Sequence, residues 1–260
     1  MTDLHPVLAG VLASGAAGLG TGLGAVFIYA VRELRPWTED ALLSGAAGIM
    51  LAASFYSLLQ PGLEYGFEEY GSRVQSVAVV VAGMLAGGLA LYLIHQHAPH
   101  EHFHIGREGP DSAKFARLWL FVVAITLHNF PEGMAVGVGA ASGNVAAGTA
   151  LTLGIGIQNV PEGLAVATSL LAAGYGRHIA FWIAFATGLV EPLGGLLGAS
   201  MAWLASTLLP AVLALAAGAM LYVISDEIIP ETHRAGHQNI ATASLMTGVA
   251  LMLVLTVLVG

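Results

Sequence analysis

Eight stretches of this chain, at approximately 6–31, 41–62, 74–95, 116–140, 145–173, 179–204, 209–229 and 240–259, are each long and apolar enough to cross a bilayer. A hydrocarbon core about 30 Å thick takes roughly 20 residues of helix, and a segment in that solvent must satisfy its backbone polar groups internally. Each run is therefore expected as a transmembrane helix, and the fold class as all-α and polytopic. Composition agrees: the 260 residues are 57% hydrophobic and 9% charged, against about 25% charged in a soluble domain. Almost nothing remains for a soluble part, so residues 1–260 read as a single transmembrane domain. The first run lacks a basic leader and is too long for a signal core, so it is kept as a mature span. The absence of cysteine removes disulfides and thiolate ligands together. A net charge of −8 argues against a nucleic-acid partner.

The eight basic residues orient the spans. With the N-terminus outside, Arg32, Arg35, Arg107, Lys114, Arg117, Arg177 and Arg234 fall in cytoplasmic loops and only Arg73 falls outside, a strong positive-inside asymmetry. Both termini are then expected outside, and a His-bearing loop at about 96–114 is expected in the cytoplasm. Two sequence repeats run across spans of opposite direction. "LHNFPEGMAVGVG" at 127–139 returns as "IQNVPEGLAVATS" at 157–169, in spans four and five. "AAGIML" at 46–51 returns as "AAGAML" at 216–221, in spans two and seven, followed by Pro61 and Pro230. Such repeats point to an inverted-topology transporter, whose substrate lies near the midplane on interrupted helices.

The first pair of motifs carries chemistry. Pro131 and Pro161 cannot donate to the carbonyls of Leu127 and Ile157, so each is expected to open a backbone oxygen at membrane depth. On a helix His128 and Glu132 share a face, with Asn129 on the neighbouring stripe, and Gln158, Asn159 and Glu162 repeat that layout. Glu191 stands before Pro192 in span six. No Lys or Arg lies within any span core, so Glu132, Glu162 and Glu191 have no counter-cation in the sequence. An unpaired carboxylate in hydrocarbon costs at least about 2.5 kcal/mol; these groups stay protonated or receive a cation from outside. Oxygen with imidazole nitrogen and no thiolate suits a divalent metal such as zinc, iron or manganese.

With "HNFPEG", the second "NVPEG", eight spans and a His-containing loop between spans three and four, the whole chain resembles the ZIP family of divalent-metal transporters (zinc- and iron-regulated transporter-like proteins), in its bacterial branch. That resemblance implies import of divalent ions into the cytoplasm across the cell inner membrane by alternating access. Zinc is the first expected substrate, with cadmium, iron or manganese as others. It also implies an elevator-like movement of the metal-carrying bundle and a homodimer. Position by position, His128, Asn129 and Glu132 look like span-four ligands, Gln158, Asn159 and Glu162 like span-five ligands, and Glu191 like the span-six ligand. Met50 is similar to a thioether ligand at that place, and Glu132 and Glu162 are bridging candidates for a binuclear centre. Many members carry His where Gln158 stands, and bacterial relatives with Gln often carry Asp where Asn159 stands, which here costs a ligand charge.

Further clusters surround these motifs. "HQHAPHEHFH" at 95–104 holds five of the ten histidines, a compositional metal-binding signal; beside the resemblance it looks like a metal-collecting or sensing segment. Glu227, Glu231, His233 and His237 are candidates to receive metal on exit, and Glu64, Glu68 and Glu69 to concentrate cations at entry. A proton-coupled cation exchanger or channel is the alternative function, since it too uses buried carboxylates. An enzyme is not expected: the zinc-hydrolase signature HExxH does not occur in the sequence.

Overall fold

The apolar runs become helices whose starts are set by proline and whose ends are set by polar turns. In the computed structural model, residues 5–31, 35–97, 100–102, 106–108, 114–172, 175–204, 206–233 and 236–259 are described. The helices are α1 (Pro6–Val26), α2 (Pro36–Ala53), α3 (Gln60–Tyr70), α4 (Arg73–His97), α5 (Lys114–Ala141), α6 (Val145–Ala172), α7 (Arg177–Gly188), α8 (Glu191–Leu204), α9 (Leu209–Val223), α10 (Ile229–Thr232) and α11 (Gln238–Val259). Pro6, Pro36 and Pro210 open α1, α2 and α9 within their first two positions, where the missing N–H costs nothing. Six of the resulting rods among the described residues are long and apolar enough to cross a membrane. The helices that carry the repeated motifs, α5 and α6, are outside those six and are 28 residues each. The molecule is a multi-pass, helical membrane protein.

The helix interruptions expected beside the repeated motifs do not fall at the prolines. Pro131 and Pro161 lie inside α5 and α6, and both helices run on through them without interruption. Unwinding either helix in hydrocarbon would orphan several backbone groups in place of the single bond that proline removes, so continuity is cheaper. The departures from α geometry occur elsewhere. A π-helical turn at Ser54–Leu59 joins α2 to α3 just before Pro61, and another at Ile224–Ile228 joins α9 to α10 just before Pro230. A wider turn accommodates the proline ring and its missing donor, so the AAGxML repeat extends into a shared local distortion. Span six breaks at Leu189–Val190, between α7 and α8, immediately before Glu191.

Packing sorts the helices into two groups. In one, α1 packs on α5, α6, α7 and α8, and α5 packs on α6 and α8. In the other, α2 packs on α11, and α9 packs on α3 and α4. The groups meet where α2 and α11 lie on α6 and where α9 lies on α5. The α1 end is tied to the α7 start by Arg177 Nη1, which donates to the Tyr29 carbonyl at 3.1 Å. In the histidine-rich segment, β1 (His100–His102) pairs antiparallel with β2 (Gly106–Glu108) in the register His100 with Glu108. This short hairpin is the one non-helical pairing among the described residues, where a loop was expected; His104 lies outside them.

Candidate metal centre

Both repeated motifs turn their polar residues into the middle of the first group of helices. Glu132 on α5, Gln158 and Asn159 on α6 and Glu191 at the head of α8 are fully buried, and Asn129 and Glu162 are 1% and 3% exposed. Gln158 Nε2 donates to Glu132 Oε1 and so links the two motifs. Asn159 Nδ2 donates to Glu191 Oε1 at 2.7 Å and to the Ala17 carbonyl of α1 at 2.9 Å.

These bonds occupy the amide nitrogens and leave amide and carboxylate oxygens unpaired. Gln158 Oε1, Asn159 Oδ1, Glu191 Oε2 and both polar atoms of Asn129 are buried with no hydrogen-bond partner. Each such group costs about 1–3 kcal/mol when left unsatisfied, so several together mark a place arranged for an occupant. Carboxylate and amide oxygens of this kind are ligands for a hard or borderline cation as well as acceptors for hydrogen-bond donors such as water.

The glycine of each PEG triplet explains how the helices come close enough. A Cβ on Gly133 would stand 2.1 Å from the Glu191 carbonyl oxygen, and one on Gly163 would stand 1.9 Å from the Thr21 carbonyl oxygen. The first glycine seats the head of α8 against α5, which brings Glu191 to Glu132. The second seats α6 against α1, which brings the Ala17 carbonyl to Asn159.

The other sequence candidates fall in different places. Met50 is fully buried on α2, within a core that also includes Met134 and Ile155 of the first helix group. It is the one candidate ligand carried by the second group. His128 is in α5, but its side chain lies outside the described residues. Among the described residues no three His, Asp or Glu side chains are arranged to hold a metal ion by themselves; the motifs bring amides against the carboxylates.

The four residues proposed for metal exit do not form one cluster among the described residues. His237 Nδ1 lies 2.7 Å from Asp40 Oδ2, at the start of α2. His233 is engaged by Ile229, Thr232 and Thr242. Glu231 is buried, and the Glu227 side chain lies outside the described residues. Glu64, Glu68 and Glu69 are exposed on α3, with Glu64 accepting a hydrogen bond from Gln60. Sequence reasoning passed over Asp40 and the Ala17 carbonyl. No local pattern marks either one, since their partners lie 197 and 142 residues away.

Fold and site together define a multi-pass membrane protein with buried carboxylates and amides gathered inside its helices. Comparison with known proteins narrows this class. Residues 94–256 match the family described as ZIP Zinc transporter. Zinc transporter ZIPB of Bordetella bronchiseptica is 47% identical over 95% of this chain and 80% of its own length. Zinc transporter GufA of Myxococcus xanthus is 44% identical over 97% of this chain and 99% of its own. Zinc transporter ZIP11 of Homo sapiens is 32% identical over 92% of this chain and 94% of its own. The chain belongs to the ZIP family, whose members are membrane transporters and not enzymes.

Proposed function

We propose that this protein imports Zn²⁺ into the cytoplasm across the cell inner membrane by alternating access, through a centre on spans four, five and six. The observation that carries the reading is the buried set of carboxylates and partnerless amide oxygens around Glu132, Glu162 and Glu191, in spans whose cores supply no Lys or Arg to neutralise them. The relatives' names, all zinc transporters, favour zinc. Cadmium, iron and manganese are further substrates in this proposal, because carboxylate, amide and imidazole donors accept each of them.

The proposed ligands are Met50, His128, Asn129, Glu132, Gln158, Asn159, Glu162 and Glu191, with Glu132 and Glu162 bridging two ions when the centre is binuclear. All except Met50 ride on the first helix group. This division supports an elevator-like shift of α1, α5, α6, α7 and α8 against the remaining helices. Both termini lie outside in this proposal, with residues 96–114 in the cytoplasm and the spans arranged as inverted repeats; the matching π-helical turns before Pro61 and Pro230 favour the repeat. A homodimer would cover α4 and α11, whose apolar surfaces are mostly exposed.

The test is uptake into proteoliposomes, with zinc alone and then in competition with cadmium, iron and manganese. Zinc entry suppressed by the competing ions fits the proposal. A proton flux that proceeds unchanged without any divalent ion would instead favour a proton-coupled exchanger or channel.

A further inference from the structure

A threonine in a helix ordinarily turns its hydroxyl back onto the carbonyl three or four residues earlier. Seven threonines among the described residues do so: Thr126, Thr149, Thr152, Thr168, Thr187, Thr232 and Thr247. Thr21 of α1 does not. It is 1% exposed, and its hydroxyl has no hydrogen-bond partner. Thr256, near the end of α11, is the other threonine among the described residues whose hydroxyl oxygen is buried without a partner.

The reason is the neighbouring site. The carbonyl that Thr21 would use is Ala17, four residues back. A carbonyl oxygen has two lone pairs. The helix engages one with the Thr21 N–H, and Asn159 Nδ2 takes the other at 2.9 Å. The Thr21 hydroxyl instead lies against Gly188 at the α7–α8 junction, so close that a Cβ there would stand 2.9 Å from Oγ1. Asn159 and Thr21 therefore compete for one acceptor.

We infer that Thr21 is a positioning residue that weakens the hold of the centre on its ion, by competing with Asn159 for the Ala17 carbonyl. This rests on the proposed role of Asn159 as a ligand. With Asn159 docked, its Oδ1 and Glu191 Oε2 both face the site without partners, which is the ion-ready arrangement, and the Thr21 hydroxyl goes unsatisfied. When Thr21 takes the carbonyl, Asn159 loses its anchor on α1 and the ion loses an oriented ligand. A transporter must release what it binds, and this exchange favours release.

The test is a double-mutant cycle of Thr21→Val and Asn159→Ala, with Thr21→Ser as the conservative variant. Valine keeps the shape and removes the competitor, so Thr21→Val should raise the thermal midpoint of the ion-free protein and tighten zinc binding by calorimetry about tenfold, while slowing turnover. Thr21→Ser should behave like wild type. In the Asn159→Ala background the Thr21→Val change should no longer stabilise the protein or tighten binding. Equal effects in both backgrounds, or weaker zinc binding by Thr21→Val alone, would overturn the inference. The thermal cycle needs no metal, so it judges the competition even if the wild-type protein gives no heat with zinc; that outcome would instead count against the zinc-transport proposal.

Discussion

An amide presents a donor and an acceptor on one rigid plane, and this centre uses both ends. The nitrogens of Gln158 and Asn159 are held by Glu132, Glu191 and the Ala17 carbonyl, which aims their oxygens at the interior. Asn129 differs, because neither end of its amide has a protein partner. An amide oxygen is a weaker zinc ligand than an imidazole nitrogen. His128→Ala is therefore expected to weaken zinc binding roughly tenfold or more, and Asn129→Ala by less; calorimetry on the two purified variants measures the order, and the reverse order would remove His128 from the ligand set. The identities of these residues were legible in the sequence, because two PEG motifs with no neighbouring base can be read locally. Their hydrogen-bond partners were not, since Ala17 is an unremarkable apolar residue until α1 packs against α6.

The helices show which local signals survive tertiary packing. Apolar length located six of the eight expected spans among the described residues, because the bilayer sets a minimum that sequence must meet; α5 and α6, which carry the polar motifs, are helices outside those six. Proline was a poorer guide. Pro131 and Pro161 leave α5 and α6 continuous, while Pro61 and Pro230 follow π-helical turns, and the same residue type gave no means of telling the two outcomes apart. The break that bears most directly on the centre lies before Glu191, at Leu189–Val190. It puts Glu191 in the first turn of α8, where the positive end of the helix dipole favours a negative charge. That turn can approach α5 only because position 133 has no side chain. Gly133→Ala would force a Cβ to 2.1 Å from the Glu191 carbonyl oxygen, so the cost is expected to reach or exceed the about 1–3 kcal/mol of ordinary overpacking. Thermal denaturation should show the loss, accompanied by weaker zinc binding. Unchanged stability and affinity would mean that the α5–α8 contact does not set the position of Glu191.

At the scale of the molecule, two helix groups divide the labour: one carries the carboxylates and amides, and the other carries Met50. They close on each other around a cavity of about 20 Å³ lined by Ser57, Pro61 and Tyr65 on one side and Ser142, Asn144 and Ala147 on the other, too small for a hydrated ion. If the groups slide during transport, joining them here should stop it. The chain has no cysteine, so Ser57→Cys with Ser142→Cys is a clean pair. A short, reducible thiol cross-linker should arrest zinc uptake and a reductant should restore it; full uptake by the cross-linked protein would exclude relative movement at this seam. The histidines of residues 95–104 lie away from the carboxylates of the two motifs in sequence, and His100 and His102 are the ends of β1. Replacing them is expected to change how uptake depends on zinc concentration while preserving basal transport, as initial rates across a zinc series would show. Complete loss in a stably inserted variant would give that segment a larger role.

The central claim is that buried carboxylates of the two PEG motifs take the place of water around a transported ion. Its most direct measurement is zinc uptake into proteoliposomes by wild type, Glu132→Ala and Glu162→Ala, each first shown to be folded and inserted in equal amount. The account predicts time-dependent accumulation with wild type and none above protein-free vesicles with either variant. Near-normal accumulation by either one would contradict it.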